Sequence, residues 1–185
     1  MVRTLFKSKI ILSSFCKSTS IGKPLQLSSS FIFVAMHELN LPHHPFRIKN
    51  ENGQHFIFDE IRKKFLVLTP EEWVRQHFVM YLHNEKSFPL SLMSLEKGLK
   101  LNNMPRRSDI VAFASDGAPR VLVECKAPKI KITQDTFDQA ARYNMELKVP
   151  FMVVTNGLDH YCCVINHKEK SYSFLKEIPN YKDVL

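Results

Sequence analysis

The spacing of apolar positions predicts a helix just before the middle of this 185-residue chain. Thr69 is a suitable N-cap, Pro70 suits the first helical position, and Glu72 falls where the acidic residue of a capping box belongs. Val74 and Phe78 then recur at helical spacing. We therefore predict that a helix begins at Pro70.

Short apolar runs predict strands on both sides of this helix. They lie near 55–58 and 64–68, then at 94–101, 108–114 and 120–126, and finally at 150–155, 161–165 and 172–175. A second helix is predicted at 134–147 with Thr133 as its cap, whereas the polar, proline-punctuated residues 37–53 indicate an extended arm. Beginning at the first helix, the order α-β-β-β-α-β predicts an α/β fold whose central mixed sheet is flanked by helices.

Charge is unevenly distributed along the chain. The formal net charge is +8, but residues 1–35 hold five basic side chains and no Asp or Glu. This Ser-rich segment resembles an organelle transit peptide more than a secretory signal. We favour a disordered extension, or translated sequence upstream of a true start at Met36. Residues 36–185 are then one domain, and their mild basicity permits nucleic-acid binding without requiring it.

Several classes of protein are disfavoured by what the sequence lacks. No apolar run approaches the roughly 20 residues of a membrane-spanning helix. Cys16, Cys125, Cys162 and Cys163 show no CxxC spacing, which favours reduced thiols in a cytoplasmic protein. The five glycines form no phosphate-binding loop of the G-x-x-x-x-G-K-[ST] type, so we expect no ATP-driven motor in this chain.

The predicted hairpin at 108–126 concentrates charged residues on one face. If the turn DGAP closes it symmetrically, Asp109 lies opposite Lys126 and Val111 lies opposite Glu124. Asp109, Glu124 and Lys126 then share a face, because residues two apart on a strand point the same way. The other face carries only apolar side chains, suited to burial against a helix: Ile110, Ala112, Val121, Val123 and Cys125.

Two neighbouring carboxylates repel each other, and a divalent cation resolves the repulsion. Hard oxygen ligands favour Mg²⁺, for which Mn²⁺ can substitute. Such a metal polarises a phosphoryl oxygen and activates water, while Lys126 can position the water, help to deprotonate it or neutralise developing charge. The alternative is a purely structural salt bridge between Lys126 and one of the acids, which would leave one negative charge unmatched.

The segments RSDIV at 107–111 and VLVECKAP at 121–128 resemble the signature of PD-(D/E)XK nucleases. PEEWVRQ at 70–76 and FDQAARYNMELKVPFMVVTNG at 137–157 are similar to the N-terminal nuclease region of type I restriction enzyme R subunits. The resemblance implies a restriction-endonuclease-like α-β-β-β-α-β core. It also implies that Asp109 and Glu124 bind the metal and that Lys126 is catalytic.

The same resemblance implies that an acid of the first helix completes or supports the metal site. We choose Glu72, with Glu71 as the rival and the capping box as the structural alternative. Arg75 either pairs with an acid, contacts a phosphate or lies in solvent. Gln139 and Tyr143 form the Q-x-x-x-Y pair, which implies that they orient water or the DNA backbone unless they only pack on the helix surface.

Basic residues flank the candidate site. Arg106, Arg107, Lys129 and Lys131 are candidates for phosphate contacts, with solvated loops as the alternative. The leading hypothesis is a Mg²⁺-dependent nuclease that hydrolyses DNA, acting alone, as a homodimer, or with separate motor or modification subunits. The alternative hypotheses are a non-catalytic nucleic-acid-binding or partner-docking module on the same fold, and a structural protein with a buried salt bridge.

Overall fold

The helices and strands follow the predicted chain order. A computed structural model describes residues 38–101 and 104–185, without the side chains of 97–101, 104–107, 142, 143 and 145–147, so the predictions for residues 1–37 lie outside the described residues. The elements are β1 (Ile48–Glu51), β2 (Gln54–Asp59), β3 (Lys64–Val67), α1 (Pro70–Asn84), β4 (Met93–Leu101), β5 (Met104–Phe113), β6 (Pro119–Cys125), α2 (Gln134–Leu147), β7 (Phe151–Thr155), β8 (His160–Asn166) and β9 (Ser171–Phe174). Short 3₁₀ turns lie at Leu90–Leu92 and Tyr181–Val184.

The main sheet is mixed, as predicted. Its six strands have the order β4-β5-β6-β7-β8-β9, and β1, β2 and β3 form a separate antiparallel sheet. Only β6 and β7 run parallel within the main sheet, and α2 connects them. Parallel neighbours need such a crossover, whereas each antiparallel pair is joined by a short turn or loop.

The two helices bury opposite faces of the main sheet. α1 packs on the apolar face predicted from the hairpin, which includes Ile110, Val123 and Cys125. α2 packs on the other face, against Val111 and Leu122. Burial of these apolar side chains is the main favourable term in the stability of such a layered domain. Within residues 38–101 and 104–185, neither helix is long and apolar enough to cross a membrane.

The extended-arm prediction for residues 37–53 is only partly right. Residues 38–41 do lie without regular structure, and the Asn40 N–H donates to the Gly157 carbonyl at 2.7 Å. Ile48–Glu51, however, forms β1 and pairs with β2. The missed signal is Asn52-Gly53, where both residues have positive φ in the two-residue turn that favours a hairpin.

The register of the β5–β6 hairpin differs from the symmetric prediction by two residues. Ile110 pairs with Val123 and Val111 with Leu122. The turn closes earlier than predicted, with the Ala114 N–H donating to the Ala118 carbonyl, and an irregularity between Ala112 and Phe113 then shifts the pairing back by one residue. A shift of two residues keeps every side chain on its predicted face. The predicted loop at 102–107 is also too long, since β5 already begins at Met104 and pairs back to Leu101.

The described cysteines agree with the expectation of reduced thiols. Cys125, Cys162 and Cys163 are all buried and free. Burial raises the pKa of the Cys163 thiol to about 12 and that of Cys125 well above its ordinary value. These side chains therefore act as small apolar core residues rather than as nucleophiles.

Candidate active site

Asp109 lies where β5 and β6 separate. The β5–β6 ladder ends at Ile110 and Val123, and the next N–H of β6 that faces β5, that of Cys125, donates to Asp109 Oδ2 at 2.7 Å. The Asp109 carboxylate therefore replaces a backbone acceptor at the end of the hairpin. This bond fixes one oxygen of Asp109 against the strand that carries Glu124 and Lys126.

Glu124 and Lys126 form an ion pair beside Asp109. Lys126 Nζ lies 2.8 Å from Glu124 Oε1, and about a quarter to a third of each side chain is exposed (26% for Glu124, 30% for Lys126). Burial and the charge of Asp109 raise the pKa of Glu124 despite this pairing. Burial alone would lower the pKa of Lys126, but its hydrogen bond to Glu124 and the surrounding acids raise it overall. Pairing with Lys126 therefore does not fully offset the burial and the repulsion from Asp109 that disfavour the charged form of Glu124.

Two neighbouring acids of α1 have very different environments. The Glu72 side chain is 8% exposed and bonds to Arg62, Arg75 and Gln76, whereas the Glu71 side chain is 44% exposed and lies 3.3 Å from Arg75. Burial and the charge of Asp109 raise the pKa of Glu71, which also interacts with Lys126 and Glu124. Glu71 is therefore the α1 acid that faces the Asp109–Glu124 pair.

The N-terminus of α1 explains how Glu72 is held. Thr69 Oγ1 accepts the Glu72 N–H at 3.1 Å, which confirms the predicted cap. The Glu72 carboxylate does not turn back to the Thr69 N–H, which bonds to the Val67 carbonyl instead. Only half of the predicted capping box is present, because the Glu72 side chain is engaged by arginines.

Two arginines connect these acids into one network. The Arg75 guanidinium donates to Asp109 at 2.7 Å and also contacts Glu71, Glu72 and Glu96. Arg62 lies in the turn between β2 and β3 and contacts Asp59 at 2.5 Å, Glu96 at 2.8 Å and Glu72 at 3.3 Å. The nearby acids raise the pKa of Arg75 although burial opposes this, so Arg75 stays a cation.

Negative charge is in excess around this network. Arg62, Arg75 and Lys126 are its cations, and its carboxylates are twice as many: Asp59, Glu71, Glu72, Glu96, Asp109 and Glu124. The donor set near Asp109 consists of carboxylate oxygens, the ligands that Mg²⁺ prefers, so its chemistry fits a magnesium ion. Yet in the described part of the chain no three His, Cys, Asp or Glu residues converge as a ready-made metal site. Metal binding would therefore require the acids near Asp109 to move closer together.

The other predicted site residues lie on α2, on β5 and in the loop that follows β6. Gln139 is exposed on α2, and Tyr143 lies one turn further along the same helix. Arg106 and Arg107 are on β5, where they pair with Leu99 and Gly98. Lys129 and Lys131 are exposed in the loop that follows β6. Roles in orienting DNA remain predictions for all six.

The sequence reasoning missed Arg62 and Glu96. Each lies in a segment assigned to a turn or a strand, and their contacts join residues 34 positions apart in the chain. The only local signal was an acid followed three residues later by a basic residue, in the turn after β2. The buried Asp59 accepts three hydrogen bonds there, from Ile61 and Arg62. No strand pattern would have indicated that the Glu96 side chain contacts Arg62 and Arg75.

The sequence of the chain matches one protein family. The family described as type I restriction enzyme R protein N terminus matches residues 70–179, which is more than half of the chain. The chain belongs to this family. The match runs from the first residue of α1 through the hairpin, α2 and the last strand of the main sheet, and so includes Glu71, Asp109, Glu124 and Lys126.

One solved structure related to the R protein family is also similar. It is a fragment assigned to the HsdR subunit of a type I restriction enzyme from Vibrio vulnificus YJ016, with 20% sequence identity and a TM-score of 0.45. The match covers 63% of this chain and 24% of that one. No curated protein matches the chain.

Proposed function

We propose that this R protein N-terminal domain is a Mg²⁺-dependent nuclease that hydrolyses phosphodiester bonds of DNA. The observation that carries the proposal is the convergence of Asp109, Glu124 and Lys126 where β5 and β6 separate, beside an acid of α1. Family membership supports a nuclease-like role, because the family is defined on the R protein of restriction enzymes.

We assign metal binding to Asp109, Glu124 and Glu71. The raised pKa values of Glu124 and Glu71 have a shared cause, since burial and the charge of Asp109 act on both. This mutual repulsion is what a divalent cation would relieve. Glu71 replaces Glu72 in our assignment, because the carboxylate of Glu72 is already bonded to Arg62, Arg75 and Gln76.

Magnesium bound there would supply positive charge to polarise the phosphoryl group and to activate water. Lys126 would contribute a fixed ammonium at the same edge of the site. Its Nζ, which lies 2.8 Å from Glu124, would neutralise charge that develops on the scissile phosphate. Lys129 and Lys131, exposed in the following loop, would bind the DNA backbone without reading its sequence.

The direct test is incubation with supercoiled, linear and single-stranded DNA, with and without Mg²⁺. We expect cleavage only with metal and expect Asp109→Asn or Lys126→Met to abolish it. Asp116→Asn is the matched control, because Asp116 lies in the turn of the same hairpin, and its contact with Arg120 at 3.5 Å is exposed. The Ala118 N–H that it accepts would still have an amide oxygen as partner.

Two results would reject the assignment. Metal-dependent cleavage that survives in both site variants would show that the activity arises elsewhere or from a contaminant. An intact fold without Mn²⁺ binding at millimolar concentration would favour a non-catalytic docking module on the same fold. DNA binding measured at two salt concentrations would then show whether nucleic acid is still the partner.

A further inference from the structure

We propose that Arg75 is a positioning residue that fixes the orientation of Asp109, and that Glu96, itself bonded to Arg62, holds Arg75 in place. The inference rests on the proposed function, because the orientation of Asp109 matters for metal binding only if Asp109 is a metal ligand. Its structural content concerns only side chains of this chain and can be tested without metal or DNA.

The two terminal nitrogens of Arg75 are each shared between two acids. Nη1 contacts Glu72 and Glu96, and Nη2 contacts Glu71 and Asp109 at 2.7 Å. A planar guanidinium holds the donors of two terminal nitrogens in a fixed fork, whereas a lysine ammonium offers all its donors from one nitrogen. Because the Arg75 side chain is only 6% exposed, water competes little for these contacts.

Glu96 reaches Arg75 through an unusual backbone conformation. It has a φ of 49°, in the left-handed region, although it lies inside β4. The register between Leu95↔Ile110 and Lys97↔Ser108 places Glu96 opposite Asp109. Such a conformation is unfavourable for a residue with a side chain and persists only where surrounding contacts hold it. Here its carboxylate bridges Arg62 at 2.8 Å and Arg75 at 3.3 Å.

The result is a chain of contacts that ends on the metal-binding acid. Arg62 contacts Glu96, and Glu96 contacts one side of Arg75. The other side of Arg75 donates to Asp109 Oδ1, while Asp109 Oδ2 accepts the Cys125 N–H. Both oxygens of Asp109 are thereby fixed, and each still has a lone pair available. Outer contacts of this kind orient metal ligands and alter metal affinity by about 10- to 100-fold.

The amide proton of Cys125 reports directly on this arrangement. We would measure hydrogen exchange by NMR for wild type and for Arg75→Lys, which keeps the charge but loses the planar fork. We expect the Cys125 amide to exchange at least about tenfold faster, as for a lost bond to a charged group, while the amide of Val123 is unchanged. A general loss of stability would instead accelerate both amides together.

Glu96→Gln is the second variant, since it leaves Arg75 in place and removes one of the contacts that hold it. It should accelerate exchange at Cys125 selectively but to a smaller extent. Arg120→Lys is the matched control, because Arg120 pairs with the exposed Asp116 at the far end of the hairpin and should change nothing at Cys125. Unchanged exchange at Cys125 in both test variants would overturn the proposal, as would equal acceleration across β6.

Calorimetry with Mn²⁺ separates this proposal from the proposed function. Wild-type protein should bind Mn²⁺, and Arg75→Lys should weaken binding by about 10- to 100-fold. If wild type binds no Mn²⁺ while Cys125 still responds selectively to Arg75→Lys, the nuclease assignment fails and the positioning role stands. If Mn²⁺ binds equally well to wild type and Arg75→Lys and Cys125 does not respond, the positioning role fails and the metal site stands.

Discussion

Glu71 and Glu72 are adjacent in the chain, and the structure predicts opposite consequences for replacing each by glutamine. Glu72 is buried between Arg62 and Arg75, so Glu72→Gln should mainly destabilise the fold. Glu71 is half-buried and faces Asp109, so Glu71→Gln should mainly weaken metal binding. The pair of variants therefore separates a structural acid from a metal-binding acid.

The expected magnitudes follow from burial and partners. Removing one partner of a buried ion pair costs about 3–5 kcal/mol, and the remaining acids around Arg62 and Arg75 should reduce this to about 2–3 kcal/mol for Glu72→Gln. The contact of the half-buried Glu71 with Arg75, at 3.3 Å, contributes at most about 1 kcal/mol. Loss of the Glu71 carboxylate should weaken Mn²⁺ binding by about tenfold or more, as even indirect partners of a metal do.

Urea unfolding followed by circular dichroism measures the first effect, and calorimetry with Mn²⁺ measures the second. Glu72→Gln should lower the urea midpoint by roughly 1 M, whereas Glu71→Gln should leave it nearly unchanged. The reverse result would refute the reasoning: a stable Glu72→Gln that binds no Mn²⁺, beside a Glu71→Gln that binds normally, would make Glu72 the ligand.

Three further outcomes test the fold. Burial lowers the pKa of His77 to about 4, so between pH 6.5 and 4 the unfolded chain binds a proton that the folded chain does not. The free energy of unfolding should therefore fall by about 1.4 kcal/mol per pH unit as the pH drops through this range. His77→Gln should flatten that slope. Gly157 has a φ of 83° and its added Cβ would lie 2.7 Å from Leu39, so Gly157→Ala should cost about 2 kcal/mol in urea unfolding, and an unchanged midpoint would contradict this. Thr69→Ala should cost about 1 kcal/mol by removing the acceptor of the Glu72 N–H, with Thr69→Ser restoring it.

Most of the fold could be predicted because helix caps and the alternation of side chains along strands depend on residues close together in the chain. The caps Thr69 and Thr133 fixed the starts of both helices, and each accepts a backbone N–H as expected. The apolar faces of the hairpin survived an error of two residues in register, because side chains repeat with a period of two. The strand β1 was missed although Asn52-Gly53 indicated a turn.

The candidate site was less predictable because its contacts are between distant segments. The motif residues Asp109, Glu124 and Lys126 could be placed on one face from the strand period alone. The engagement of Glu72 by Arg62 could not, since it depends on how a turn ten residues earlier packs on α1. The left-handed conformation of Glu96 could not be predicted either, because glutamate does not favour positive φ.

The contacts of Arg62 also bear on where a minimal domain can be cut. The family match begins at residue 70, yet Arg62 lies before it and is bonded to Glu72 and Glu96 inside the matched region. A protein trimmed to the matched boundary would therefore lose Arg62, and the repulsion between those two carboxylates would be offset by Arg75 without its help. The smallest fragment that should retain the native arrangement is therefore set by the ion pairs of Arg62, rather than by the extent of sequence similarity.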